Sequence, residues 1–415
     1  MAEQHGKALV PQIRFSGFTD PWEQRKLCEI AAFGGGHTPS MSDPDNYEGG
    51  NVLWVTSQDV KSYYLDGTTT QITEKGAKEL TLYPMGALVM VTRSGILRHT
   101  LPVAELCKPS TVNQDIRVIL PQEDKCCGKW LLQFFISRNK ELLLEFGKTG
   151  TTVESVDFSK MKDMILRMPS LSEQRQIGLY FARLDNLITL HQRKYDKLCV
   201  LKKSMLDKMF PKGGSLYPEI RFAGFTDPWE QRKLGELFVI GGSGGTPSAT
   251  NASYYGGDIP FLGISDIKNR DITITAKSIT EKGLENSAAW IIPAGSICLA
   301  MYASVGKAGI NRVSLATSQA FYNMVFEDET LRDFIYTRLE KADTDNEWNP
   351  LISTGTQANL NADKVKSFRI LLPSSDERRL IAKYFADLDS LITLHQRKLE
   401  LLRNIKKSML DKMFV

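Results

Sequence analysis

The chain has 415 residues, 42% of them hydrophobic and 24% charged, and this ordinary composition excludes global disorder. Its 52 basic and 48 acidic residues leave a net charge of +4, which permits a polyanionic partner without requiring one. Six cysteines without a C-x-x-C pair and only five histidines exclude a recognisable zinc or disulfide framework. No apolar run reaches the length of a membrane span and no signal peptide is visible, so we expect a cytoplasmic protein without a membrane partner.

A leading segment near the start of the chain returns halfway along it. The fifteen residues IRFSGFTDPWEQRKL at 13–27 recur at 220–234 with one change, Ser16 to Ala223. Two further segments also occur twice, LITLHQRK at 187–194 and 391–398, and KKSMLDKMF at 202–210 and 406–414. A repeat of this length indicates a duplicated domain and not a solenoid.

A glycine-rich block follows each leading segment. Short apolar and β-branched runs separated by Gly, Pro, Asn and Asp predict strands in a mixed α+β domain. Helices are predicted at 129–146 and 329–342 within the blocks. The two blocks differ far more than their flanks do, although both keep the motif T-P-S, at 38–40 and 246–248.

The loops of both blocks carry small hydroxyl, amide and cationic side chains. In the first block these are Thr38, Ser40, Ser57, Gln58, Arg93, Ser94, Arg98, Asn113 and Gln114. In the second block they are Thr246, Ser248, Ser265, Asp266, Lys268, Tyr302, Ser304, Lys307, Ser318 and Gln319. Such groups bind phosphates and read base edges, so we identify them as candidate DNA-binding residues. The alternative is that they only stabilise turns, where the same residue types are common.

A long amphipathic helix is predicted at the end of each half, over 172–210 and 376–414. Apolar positions spaced by three and four residues predict a coiled-coil seam. The seam residues are Ile177, Phe181, Leu184, Ile188, His191, Leu198 and Met205 in the first helix, and Ile381, Phe385, Leu388, Ile392, His395, Leu402 and Met409 in the second. The near-identity of the two helices favours an antiparallel, pseudo-twofold pair. The alternative is that each helix packs on the core of its own domain.

Catalytic motifs are incomplete wherever they are suggested. The segment LEFGKTGTT at 144–152 has Leu142 where a P-loop needs its first glycine. The segment NPLI at 349–352 lacks the second proline and the aromatic residue of the N-P-P-[FY] motif of adenine methyltransferases. No H-E-x-x-H or G-x-S-x-G sequence is present. We therefore expect a protein that is not catalytic by itself and that binds no metal or cofactor.

Two divergent blocks, each followed by a near-identical helix, together resemble a known family. With the FTDPWEQRKL segments and GGTPS…YYGGDIPFLGISDI at 244–267, the whole chain resembles the specificity (S) subunit of type I restriction–modification systems. The second block, 235–372, follows the family pattern more closely than the first, 28–168. The resemblance implies a first target-recognition domain at 1–168 with its leading segment at 11–27, a spacer helix at 169–212, a second target-recognition domain at 213–372 with its leading segment at 218–234, and a spacer helix at 373–415.

The resemblance also implies a function and a set of partners. Each target-recognition domain would read one half of a bipartite site in double-stranded DNA, while the helix pair sets the gap and docks two methyltransferase (M) subunits. Motor–nuclease (R) subunits would complete the complex, and S-adenosylmethionine, ATP and magnesium would bind to the partners. The competing hypotheses are a coiled-coil adaptor with two peptide-binding domains and an enzyme that acts on nucleic acid alone. A steep salt dependence of duplex binding separates the first of these from DNA recognition.

Overall fold

A computed structural model describes residues 10–150, 153–352 and 359–414. The chain divides into two compact units, Met1–Leu190 with Leu399–Val415, and His191–Lys398. Each unit therefore combines one block with the first part of one long helix and the last part of the other. The spacer helices predicted at 169–212 and 373–415 are thus each divided between two units.

The first unit contains short strands, short helices and the start of a long helix. Its elements are β1 (Glu23–Lys26), α1 (Leu27–Ile30), β2 (Ala31–Gly35), β3 (Val52–Val55), β4 (Tyr64–Leu65), β5 (Gln71–Ile72), α2 (Glu74–Ala77), β6 (Leu88–Val91), β7 (Val103–Leu106), β8 (Thr111–Val112), β9 (Ile116–Pro121), α3 (Gly128–Ser137), α4 (Asn139–Phe146), β10 (Gly147–Lys148), β11 (Ser155–Val156), α5 (Phe158–Met161), β12 (Ile165–Met168) and α6 (Leu171–Lys208). The helix predicted at 129–146 is interrupted at Arg138, which separates α3 from α4.

The second unit repeats this order. Its elements are β13 (Glu230–Lys233), β14 (Ile240–Ser243), β15 (Tyr255–Leu262), β16 (Asp271–Ile272), β17 (Lys277–Ile279), α7 (Glu281–Glu285), β18 (Ile291–Ile292), β19 (Ile297–Ala300), β20 (Ala308–Asn311), β21 (Leu315–Thr317), β22 (Phe321–Val325), α8 (Glu329–Thr344), α9 (Ala362–Ser367), β23 (Arg369–Leu372) and α10 (Ser375–Met413). The helix predicted at 329–342 corresponds to α8.

The sheets have equivalent topologies in the two units. The larger sheet has the order β2-β9-β6-β7-β4 in the first unit and β14-β22-β19-β20-β16 in the second. A smaller sheet has the order β5-β3-β8 in the first unit and β17-β15-β21-β18 in the second. In each larger sheet only the edge pair is parallel, β4 with β7 and β16 with β20, and the other pairs are antiparallel.

The larger sheets are covered on both faces, which explains the continuous apolar runs in their central strands. In β6, Leu88 and Met90 join one hydrophobic cluster while Val89 and Val91 join another. Alternate side chains of a strand point to opposite faces, so a strand with two covered faces needs apolar residues at every position.

The long helices pack within both units. In the first unit, buried Ile177, Phe181 and Leu184 of α6 share a core with Leu410, Met413 and Phe414 from the end of the chain. In the second, Ile381, Phe385 and Leu388 of α10 share a core with Leu206, Met209 and Phe210. Within each unit the start of one helix therefore lies beside the end of the other. The remaining seam positions, Ile188, His191, Leu198, Met205, Ile392, His395, Leu402 and Met409, are half-buried.

Both alternatives for the helices thus hold along different parts of their length, since each helix packs on a block and beside its copy. The predicted fold class, two mixed α/β domains with paired long helices, is confirmed.

The leading segments tie the two helix ends together. In the first unit Arg14 forms a bidentate pair with buried Glu173 near the start of α6, with both N–O distances 2.7 Å, and the N–H of Ile13 donates to the carbonyl of Lys412 near the end of α10. In the second unit Arg221 and Glu377 form the same pair, also at 2.7 Å. There, Ile220 donates to the carbonyl of Lys208. The leading segments recur because each makes the same contacts to both helices.

Trp22 and Trp229 are both 2% exposed, as expected for structural residues. Trp22 packs edge-on against Trp130 and Phe414, and Trp229 against Phe210 and Phe334.

Across the part of the chain that the structure describes, no helix is long and apolar enough to cross a membrane. Within the same residues, no group of three or more His, Cys, Asp or Glu side chains could hold a metal ion.

Candidate nucleic-acid interface

Two loops meet at the same place in each unit and join a threonine to a glutamine. Thr38 follows β2, and its hydroxyl donates to Oε1 of Gln114, 2.7 Å away, just beyond β8. In the second unit Thr246 donates to Oε1 of Gln319 at 2.5 Å. Both glutamines are exposed, and the bond to Oε1 leaves their amide N–H groups available for an acceptor outside the protein.

Glycine permits the close approach of these loops. A Cβ on Gly36 would lie 1.8 Å from the carbonyl oxygen of Val112, and one on Gly244 would lie 2.1 Å from that of Thr317. Any larger residue would therefore push the T-P-S loop away from the neighbouring strand end. The Thr–Gln pair depends on this contact.

The next loop contains a carboxylate that stabilises its own backbone. In the first unit Asp59 accepts hydrogen bonds from the N–H groups of Thr56 and Thr69, both at 2.8 Å. In the second unit Asp266 accepts from the N–H groups of Gly263, at 2.9 Å, and Ala276, at 3.2 Å. Asp266 therefore corresponds in its role to Asp59.

The neighbouring serines and Gln58 lie on the surface of these loops. Ser40 and Ser248 each bond a neighbouring hydroxyl, on Ser42 and Thr250, at 2.9 Å. Gln58 and Ser265 are exposed, and Ser57 is half-buried. These positions are compatible with DNA contact, which stays a prediction.

The remaining candidate DNA-binding residues of the first unit differ in exposure and in the protein contacts that they already make. Arg93 is exposed. Ser94 caps the 3-10 turn at Gly95–Arg98, and Arg98 pairs with Glu154 at 2.5 Å. Asn113 is only 6% exposed and accepts from the N–H of Asp115, so it stabilises the turn that presents Gln114.

The remaining candidates of the second unit lie in two places. Lys268 and Lys307 line a cavity of about 480 Å³ between the larger sheet and helices α6, α8 and α10. Tyr302 pairs through its backbone with Asn359, and Ser304 has a left-handed backbone with φ of 79°. Ser318 accepts from the N–H of Ala320 beside the Thr246–Gln319 pair. The structure thus separates the two lysines from that pair, which does not line the cavity.

The cavity of the second unit is lined by five cationic and three acidic side chains, several of which form ion pairs. Lys202 pairs with both Glu340 and Asp389, and Arg270 lies 3.0 Å from Asp333. Burial raises the pKa of Glu340, since it disfavours the charged carboxylate. The arrangement stabilises the contact between α8 and the long helices.

A cleft of about 620 Å³ in the first unit gathers basic groups that the sequence reading missed. It is lined by Arg93 and Gln114, which were predicted, and by Arg117, Lys148 and Lys162, which were not. The signal for Arg117 was its place inside the run TVNQDIRVIL, where a cation interrupts an otherwise buried strand. Lys148 belongs to β10 and Lys162 follows directly after α5, so only folding brings these two side chains to the cleft.

One carboxylate lines the cleft, and it is already engaged. Asp157 lies 2.8 Å from the Lys148 ammonium and accepts from the N–H of Lys160, at 3.1 Å. These contacts, the Lys148 hydrogen bond above all, lower the pKa of Asp157. With four cations and one carboxylate, the cleft attracts anions.

Polar pairs lie along the half-buried helix seam. In the first unit Lys406 lies 2.6 Å from Asp185, and burial lowers the pKa of Lys406. In the second unit the equivalent Lys202 pairs with Asp389. His191 and His395 face each other with their Nδ1 atoms 2.8 Å apart, so one ring donates and the other accepts. Burial, followed by the charge of Lys398, lowers the pKa of His191.

The repeated architecture and paired loops define a duplicated two-domain protein. Residues 19–199 and 226–404 match the model of the type I restriction modification DNA specificity domain. Since these regions make up most of the chain, the protein belongs to this family and carries two copies of its domain.

Relatives are consistent with this assignment. The chain is 29% identical over 187 residues to the EcoR124I/EcoR124II specificity subunit of Escherichia coli, covering 42% of this chain and 46% of that subunit. It is 30% identical over 257 residues to the MjaIX specificity subunit of Methanocaldococcus jannaschii, covering 59% of this chain and 58% of that subunit. The matches therefore span about half the length of these relatives.

A solved structure shares the fold. The S subunit of a type I restriction-modification system from M. genitalium aligns over 98% of this chain and 99% of its own length, with a TM-score of 0.64 and 13% identity. At this identity the similarity concerns the fold.

Proposed function

We propose that the protein is the DNA-recognition subunit of a type I restriction–modification complex. The observation that carries this proposal is the duplicated specificity domain, in which both copies present an exposed glutamine held by a threonine hydroxyl. A glutamine amide can form two hydrogen bonds with the edge of adenine in the major groove. The surrounding side chains differ between the copies, which supports the reading of two different half-sites.

The two domains would together recognise a bipartite site in double-stranded DNA. Each domain reads one half, and the long helices set the gap. The chain itself contributes binding and not chemistry, so methylation of adenine N6 and cleavage are assigned to partner subunits. S-adenosylmethionine, ATP and magnesium would bind to those subunits, and the complex would act in the cytoplasm.

Two methyltransferase subunits would dock on equivalent surfaces of the long helices. Leu187 and Leu190 of α6 are 45% and 48% exposed, and their copies Leu391 and Leu394 of α10 are 44% and 58% exposed. Exposed leucines within the identical sequence LITLHQRK provide the same apolar surface twice, as two copies of one partner require. Motor–nuclease subunits would join the complex so formed.

Mapping of methylated adenines by long-read sequencing tests the function. The genome of cells that carry the gene is compared with that of cells from which it is deleted. A two-part motif that disappears on deletion is the expected result. No change in adenine methylation, together with no methyltransferase co-purifying with the full chain, would contradict the proposal.

A further inference from the structure

Two arginines that line the basic cleft of the first unit are replaced at the equivalent positions of the second. The last pair of the β2–β9 ladder is Gly35 opposite Arg117, and the last pair of the β14–β22 ladder is Ser243 opposite Tyr322. Tyr322 is 1% exposed and packs against Phe238, with ring centroids 6.0 Å apart. The cationic position of the first unit is therefore a core position in the second.

A second arginine of the cleft is also replaced. Arg93 forms an isolated backbone bridge with Ser155, and Tyr302 forms the corresponding bridge with Asn359. Each follows the central strand of its larger sheet by two residues, after Val91 and Ala300. The first domain thus places two arginines where the second has tyrosines.

The guanidinium of Arg117 occupies space that is open only because residue 35 is a glycine. A Cβ on Gly35 would lie 2.5 Å from Nη1 of Arg117, so the side chain lies directly over the backbone of β2. Among the described residues, no carboxylate lies within ion-pair distance of Arg117 or Arg93. Arg117 is half-buried in the cleft wall, and its guanidinium donates no hydrogen bond to another described residue, so its planar donors are available to a ligand.

The cleft contains donors of two kinds. Arg117, Arg93 and the Gln114 amide offer planar, directional donors. Lys148, which is paired with Asp157, and Lys162 offer flexible point charges, and the Lys162 ammonium lies 5.0 Å from the centre of the Phe33 ring. Planar donors suit base edges and flexible ammonium groups suit phosphates.

We propose that Arg117 is the residue by which the first domain reads a guanine in its half of the DNA site, with Gln114 and Arg93 beside it and Lys148 and Lys162 on the phosphates. Arginine forms two hydrogen bonds with O6 and N7 of guanine, the most common specific contact in the major groove. The half-site of the second domain is read without an arginine at these positions. This inference rests on the proposed function, and its test separates the two.

The test maps methylated adenines in cells that express the full chain, or a variant, together with the other subunits. Wild type gives a split motif. In Arg117→Ala, discrimination for guanine at one position of one half-site falls at least tenfold, and the other half-site is unchanged. Arg117→Lys keeps the charge but not the planar fork, so it shows the same loss even if the alanine variant folds poorly.

Three matched variants complete the design. Gly35→Ala displaces the guanidinium without removing it and relaxes the same position. Arg25→Ala removes an exposed arginine outside the cleft and leaves the motif unchanged. Lys162→Ala weakens binding of the purified complex to all duplexes alike and lowers the slope of log affinity against log salt by about 1.

The outcomes are distinct. Unchanged discrimination in both Arg117 variants, or an equal loss of methylation at all sites, overturns the role of Arg117 while the split wild-type motif retains the proposed function. Absence of a split motif for wild type overturns the proposed function and this inference with it.

Discussion

The two units repeat each other closely in the helix frame, which consists of α6, α10 and the two leading segments, and much less closely in the loops that carry the candidate DNA-binding residues. The frame repeats its main contacts: the pair Arg14–Glu173 corresponds to Arg221–Glu377, with equal distances. On the loop surfaces the Thr–Gln pair recurs, but Arg117 is replaced by Tyr322. A surface that meets identical partners must stay the same in both copies, whereas surfaces that read different ligands are free to differ.

The cores under the two halves of the frame provide the largest test of equivalence. Phe181→Ala and Phe385→Ala each remove a completely buried ring, so we expect each to lower the free energy of unfolding by about 3–5 kcal/mol. Hydrogen exchange measured by mass spectrometry resolves the two units, which need not unfold together. The exposed Leu187→Ala is the control, with a change within about 0.5 kcal/mol. Costs that differ by more than about 2 kcal/mol would show that the cores are not equivalent.

One polar pair of the frame should break the symmetry. Among the described residues Lys406 has one carboxylate within ion-pair distance, Asp185, whereas Lys202 has both Asp389 and Glu340. Asp185→Asn leaves a buried ammonium unpaired and should lower the unfolding free energy of the first unit by about 3 kcal/mol. Asp389→Asn should cost about 1 kcal/mol, because Glu340 still pairs with Lys202. Chemical unfolding measures both, and equal costs would contradict this account.

The two Arg–Glu pairs of the leading segments should be equally sensitive to substitution. Glu173→Gln and Glu377→Gln keep the side-chain volume but remove the charge that pairs with Arg14 or Arg221, so each should lower the free energy of unfolding by about 1.5–3 kcal/mol. Thermal melting and the exchange of amides near each helix start measure the effect. A large loss in one variant alone would show that only one leading segment fastens its helices.

The histidine pair predicts a pH dependence. His191 has a lowered pKa in the folded protein because of burial and the nearby Lys398, so the unfolded chain binds more protons as the pH falls below the ordinary value of 6.5. The stability from His191 is therefore complete above pH 6.5 and is lost below it. We expect a lower denaturation midpoint at pH 5.5 than at pH 7.5, and a smaller difference in His191→Gln. His37→Gln, which changes an exposed histidine, is the control, and an unchanged difference in His191→Gln would disprove the contribution.

The smallest effect on stability is expected on the exposed face of the helices. Arg193 and Arg397 are equivalent and exposed, so replacing either by alanine should change the free energy of unfolding by no more than about 0.5 kcal/mol. Both arginines belong to the repeated LITLHQRK segment that carries the proposed docking leucines, so the double variant should nevertheless retain less methyltransferase subunit on co-purification than Arg25→Ala does. Full retention would place the docking surface elsewhere.

Much of the frame could be predicted because its signals are local. Apolar residues spaced by three and four along 172–210 and 376–414 predict the long helices observed at Leu171–Lys208 and Ser375–Met413, and the repeated segments indicate two equivalent halves. The division of each helix between two units could not be predicted. Residues such as Phe210 and Phe414 join a core through contacts with chain segments far away in sequence.

The candidate site could be predicted only in part. The sequence shows Thr38, Gln114, Thr246 and Gln319 as polar loop residues, but the hydrogen bonds that pair them became visible only in the structure. Asp59 is not among the candidate residues although its counterpart Asp266 is, and their equivalent hydrogen bonds to loop backbone show the correspondence. The spacing of residues along the chain predicts neither the Thr–Gln hydrogen bonds nor those of the two aspartates.

The sequence by itself determined that the chain is duplicated, that its halves end in long helices, and that those helices and the leading segments are nearly identical in the two halves. These properties follow from repetition and from periodicity along the chain. Only the tertiary structure decided that Arg93, Arg117, Lys148 and Lys162 line one cleft, and that Tyr322 fills the core in place of the arginine. The reason is that β2, β9, β10 and α5 are brought together by sheet pairing and burial, which depend on the whole fold and not on any one segment.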